Sequence, residues 1–198
     1  MATPRKTGLV AVLAALTCAC TSAPGVTEQG TRTVGRYAVR YLGPELEAAV
    51  GYRQATLQLG DEWLILALEL TSAPSGGVIT INRSDIAAIT PDGHRLAVVD
   101  QAEFRQVYGS MRVSVERALA ALPVLGRYDT SRMPCDRWFL VDPFAGFAYD
   151  RVSVNTFQVC SGPLVFRVPG GVQPGRWRLV IELTESTADI PFEIEAPN

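Results

Sequence analysis

The 198-residue chain has a single lysine, Lys6, and a single histidine, His94. One imidazole leaves one ordinary base for activating a hydroxyl near neutral pH, and it stands in Pro91-Asp-Gly-His94, a turn signal. The nearest serine look-alikes, Tyr108-Gly-Ser110 and Cys160-Ser-Gly162, lack the second glycine of a nucleophile elbow. A Ser-His-acid hydrolase is therefore not expected, and His94 reads as a solvated turn residue. Phosphate cradles are missing too, because Pro169-Gly-Gly-Val-Gln-Pro-Gly175 lacks the Lys-Ser/Thr pair and a helix after it. Cysteines are few. Cys135 and Cys160 with His94 supply three ligands where a structural zinc needs four. No Asp/Asn-alternating loop ending in Glu is present to hold calcium. A net charge of −2 without a basic face argues against nucleic acid, and there is no polybasic patch for anionic headgroups. No cofactor is expected.

What is present begins with Met1-Ala-Thr-Pro-Arg-Lys-Thr-Gly8, whose early charges are Arg5 and Lys6, followed by the apolar run Leu9–Leu16. A positive stretch before a short apolar one is the pattern of an export signal. The run is too short for a membrane span, which needs roughly 20 residues. It ends in Leu16-Thr-Cys-Ala-Cys20, with the small residue Ala19 directly before Cys20. This segment resembles a bacterial lipoprotein signal, in which the cysteine after the small residue is acylated and becomes the first residue of the mature chain. The resemblance departs at Thr17, where the motif usually has Leu. Cys18 is the poorer choice, since it would put Thr17 and Ala15 at the small-residue and Leu positions. The expectation is a signal at 1–19, lipidation of Cys20 and a lipid-anchored chain facing the periplasm or the exterior. Thr21 implies outer-membrane sorting if the cell is Gram-negative. The polar stretch to residue 36, interrupted by Gly and Pro, reads as a flexible tether. Beyond the signal, 16 arginines face 20 acidic residues, so the mature chain is acidic.

Residues 37–198 are enough for one domain with a real core. Cys135 and Cys160 fit an exported domain, where disulfides persist, and are expected to pair. Strand patterns recur through Tyr37–Leu42, Gln54–Leu59, Trp63–Thr71, Val78–Ile81, Asp85–Thr90, Arg95–Val99, Val152–Val159, Leu164–Val168, Trp177–Leu183 and Ile190–Glu195. Such strands, separated by Gly and Pro turns, predict an all-β antiparallel sandwich. Asp100-Gln-Ala-Glu103 is a capping-box-like start for a helix that ends at Gly109, and a second helix is expected at Val113–Leu122. Both fall in a crossover insertion, with the disulfide loop, at about 100–160.

The tyrosine-bearing strand, Glu62-Trp-Leu-Ile-Leu-Ala-Leu-Glu-Leu-Thr71, Ile86-Ala-Ala-Ile-Thr-Pro-Asp-Gly93 and Gly162-Pro-Leu-Val-Phe-Arg-Val-Pro169 resemble an immunoglobulin-like domain of bacterial lipoproteins and secreted antigens. That resemblance implies an immunoglobulin-like β-sandwich outside the cytoplasm. It carries no activity over to this chain, and so no catalytic residues.

Two chemistries remain to weigh. The acids Asp129, Asp136, Asp142 and Asp150 could support a carboxylate-based hydrolase acting on an envelope polymer if two faced one cleft. Each stands beside a turn former or an arginine, which suits capping and surface ion pairs better. More unusual is Trp138-Phe-Leu-Val-Asp-Pro-Phe-Ala-Gly-Phe-Ala-Tyr149, flanked by Arg137 and Arg151. Rings with nearby arginines are the residue types of binding hot spots. Arg137, Trp138, Phe144, Phe147 and Tyr149 are therefore the expected contact set for an envelope protein partner, and packing of these rings onto the sandwich is the competing reading.

Overall fold

The computed structural model describes residues 30–122 and 132–196. The expected signal, Cys18, Cys20 and Asp129 lie outside them. Twelve strands and two helices follow in order: β1 Thr31–Thr33, β2 Ala38–Leu42, β3 Leu46–Gly51, α1 Arg53–Thr56, β4 Trp63–Ser72, β5 Ile79–Asn82, β6 Ile86–Ile89, β7 Arg95–Ala97, α2 Gln101–Ala120, β8 Met133–Pro134, β9 Arg151–Val154, β10 Gln158–Arg167, β11 Gly175–Glu182 and β12 Thr187–Ile194.

The fold is predominantly antiparallel sheet. One sheet runs β1-β2-β3-β4-β10-β8, a second β12-β11-β6-β7, and a two-stranded ribbon pairs β5 with β9. Among the described strands the short β8 alone pairs in parallel, and an isolated parallel bridge joins Leu59 to Val172. The two larger sheets contribute to one apolar core, in which Leu64, Leu66, Leu68 and Phe166 join Ile86, Trp177, Leu179 and Ile190. Strand β4 explains its own sequence: it is buried along its length from Leu64 to Ser72, so neither face requires polar residues and the run is continuous rather than alternating. Helix α2 packs on β4 and β10.

Six elements differ from the sequence expectation, and two of them, the buried strand β3 and the short β8, fall outside every expected strand. Thr31–Thr33, placed in the tether by its polar composition, is edge strand β1, paired with Val39–Tyr41. Gln54–Leu59 alternates like a strand but overlaps helix α1, and the buried Gln58 uses its side-chain oxygen to accept the Ile65 amide at 3.2 Å. The two expected helices are one. Its buried residues Phe104, Tyr108, Met111, Val115 and Ala118 recur at alternating steps of four and three, so a single stripe runs past Gly109. A side chain at Gly109 would meet nothing within 4 Å, so the glycine faces open space and costs the helix only its propensity, about 1 kcal/mol. The start was legible, since the Asp100 carboxylate accepts the Glu103 amide at 2.7 Å. Last, Val152–Val159 is not one strand. Asn155 accepts the Phe157 amide at 2.8 Å in a side-chain-mediated turn, separating β9 from β10.

Candidate functional site

The site is the exposed end of a strap, residues 132–150, that follows the outer side of β10. Strand β8 starts it against Gln158–Val159, and the Cys135 amide continues the ladder to the Val159 carbonyl at 2.9 Å. A disulfide then joins Cys135 to Cys160, with Cα atoms 4.6 Å apart. Past Val159 the strap stops pairing as a strand, and the Trp138 indole replaces the ladder by donating to the Pro163 carbonyl at 2.9 Å. Gly162 makes the room, because a Cβ there would sit 2.1 Å from the Trp138 ring. Pro163, which has no amide to donate, fits the side of the strand that lacks a ladder partner.

Trp138, Phe139 and Leu140 are buried beneath the strap. Trp138 is thus corrected from partner contact to core: its ring fills the space Gly162 leaves, and its one donor is used inside the protein.

Beyond Leu140 the chain is clamped again. The Gln101 side chain accepts the Val141 amide at 3.1 Å and donates to the Val141 carbonyl at 2.8 Å. Asp142 accepts the Phe144 amide at 2.9 Å through its side chain and the Ala145 amide at 3.0 Å through its carbonyl. Burial first, then the nearby Asp142 carboxylate, push the Tyr108 pKa up. The return is fixed by the Tyr149 amide on the Trp138 carbonyl at 2.9 Å. Between these ties Pro143-Phe-Ala-Gly-Phe-Ala148 protrudes with no charged residue in it. Phe144 is 91 % exposed and Phe147 86 %. The Arg137 guanidinium lies 5.3 Å from the centre of the exposed Tyr149 ring. Of the expected contact residues, the structure brings Arg137, Phe144, Phe147 and Tyr149 to the surface of one loop.

The residues sequence reasoning missed lie behind this loop. Asn82 and Arg83, at the end of β5, meet Asp150 and Arg151 at the start of β9 because the two strands pair in register, Asn82 opposite Arg151. Their separation in sequence leaves no local signal.

The alternative chemistries fare differently. Asp150 is paired with Arg83 at 3.2 Å, Asp142 is engaged in the turn, and Asp136 is exposed. His94 reaches Asp92 at 3.2 Å, and Asp92 accepts the Thr90 hydroxyl, which, with a smaller contribution from His94, holds its carboxyl below the usual range. That chain places the acid between hydroxyl and imidazole, the reverse of the order that would let the imidazole take the hydroxyl proton. These residues edge a cavity of about 360 Å3 whose other walls include Leu96, Gln173 and Trp177. Among the described residues no group of three His, Cys, Asp or Glu side chains is placed to hold a metal ion, and no helix is long and apolar enough to cross a membrane. The chain matches no family model, no curated protein and no solved structure.

Proposed function

We propose that the chain is a non-catalytic lipoprotein of the bacterial cell envelope, acylated at Cys20, whose immunoglobulin-like sandwich binds an envelope protein through the exposed loop at 137–149. The observation that carries the reading is the pair Phe144 and Phe147, almost wholly exposed on a loop whose base is tied at Val141, Asp142 and Tyr149. Exposing two large rings sacrifices burial of roughly 1.5–3 kcal/mol each. Fixing the loop beforehand also lowers the ordering cost of an interface. Rigid aromatic anchors beside arginines are what hot spots are made of.

The export reading draws its support from the first twenty residues and from the disulfide. It is tested by growing cells with a fatty-acid probe and comparing wild type with Cys20→Ala and Cys18→Ala. Label lost only in the Cys20 variant is expected; label lost only in the Cys18 variant overturns the assignment. For the loop, the full acylated chain is used to capture partners from native envelope beside the Phe144→Ser/Phe147→Ser double variant. A specific companion lost from the variant, with its melting unchanged, supports the reading. Equal capture by both rejects it.

A further inference from the structure

Beside the aromatic loop lies a groove of about 600 Å3, lined by Asn82, Arg83, Arg137, Tyr149, Asp150 and Arg151 among others. It collects three guanidinium groups against one carboxylate in a chain whose net charge is −2. The three are held differently. Arg83 is committed inward: its Nε donates to Asp150 at 3.2 Å and a terminal nitrogen to the Val98 carbonyl at 2.7 Å. Arg151 is steadied only at Nε, by the Asn82 carbonyl oxygen at 3.2 Å, and Asn82 is itself fixed by donating to Asp85 at 2.7 Å. Arg137 rests on the Tyr149 ring. Neither Arg137 nor Arg151 has a carboxylate partner among the described residues, so the terminal nitrogens of both remain available as two-pronged donors.

We infer that this groove receives the carboxylates of an acidic segment of the protein partner, next to the apolar contact made by Phe144 and Phe147; the inference rests on the partner-binding reading above. A bilayer of anionic headgroups is the other surface with this chemistry, and two observations favour a protein. The available donors, on Arg137 and Arg151, come from two separate segments around a concavity, which suits one or two side chains rather than a plane. The strap also runs along β10, four strand spacings or about 19 Å across the sheet from β1, where the tether joins. The strap, which carries Arg137, thus lies toward the opposite edge of the sheet from β1.

The test uses the full acylated chain in detergent, an oligoglutamate peptide as probe and oligolysine as control; a separate, detergent-free arm measures flotation of the Cys20→Ala chain, which has no lipid of its own, on vesicles of anionic phospholipid. Saturable, salt-sensitive binding of oligoglutamate is expected. It should weaken at least about tenfold in Arg137→Gln/Arg151→Gln and stay unchanged in Arg105→Gln on the exposed face of α2. Oligoglutamate bound no better than oligolysine, or equally by wild type and double variant, overturns the inference. So does a double variant that loses vesicle flotation but keeps oligoglutamate, because the bilayer is then the occupant. Partner capture that survives the arginine substitutions but not Phe144→Ser/Phe147→Ser rejects the acidic segment and keeps the partner. Capture that survives both sets rejects the partner reading itself.

Discussion

Residues 138–140 and 143–148 are two halves of one aromatic stretch, and they have opposite fates. Trp138, Phe139 and Leu140 sit against β10 and are buried, whereas Phe144 and Phe147 project from a turn. Nothing in their apolar character separates them. The difference lies in what waits opposite. Trp138 finds a glycine, a free carbonyl and a disulfide one step away, while Phe144 and Phe147 find a turn capped by Asp142 that carries them off the surface. An exposed ring is therefore evidence about binding only when its neighbours have been given a way to be buried and it has not.

That contrast can be broken or sharpened by substitution, beginning with the largest effect. Trp138→Ala should destabilise the domain by about 3–5 kcal/mol in denaturant unfolding, since it leaves a cavity over Gly162 and an unpaired Pro163 carbonyl. A loss below about 0.5 kcal/mol would mean that the base of the strap is as dispensable as its tip. Replacing both Cys135 and Cys160 with Ala should cost roughly 3 kcal/mol on the loop-entropy account, read as a fall in melting temperature relative to the oxidised wild type. Gln101→Ala removes both bonds to Val141 and should cost about 1–2 kcal/mol. Its sharper signature is faster hydrogen exchange at Val141 and Phe144, with α2 unaffected. Phe144→Ser and Phe147→Ser should each change stability by less than about 0.5 kcal/mol, because no packing is lost; a larger fall in unfolding free energy would show the rings to be covered in solution.

Much of the architecture was legible beforehand. The continuous apolar run at 63–71, the Asp-Gly turn before His94 and the Asp100 cap each carry their cause locally, in a few adjacent residues. The misreadings share a reason as well. Gln54–Leu59 alternates in hydrophobicity, but the Gln58 side chain is drawn to an amide seven residues away. Gly109 looks like a stop only if the stripe from Tyr108 to Met111 is overlooked. Thr31–Thr33 is polar enough to pass for a tether, yet an edge strand needs one neighbour and little burial. Of the expected contact residues, Trp138 was misjudged because the space over Gly162 is built by a strand distant in the chain.

By itself the order of residues determined the kinds of element, most of the strands, and the placement of a cysteine pair within bonding reach of an insertion. It also determined the scarcity of base and metal-ligating groups. These follow from periodicity, capping and composition, which act over a few neighbouring positions. Tertiary structure alone decided which rings were covered and which arginines share a groove. Burial and charge convergence depend on pairings such as Asn82 with Arg151, and those join residues that only the folded chain brings together.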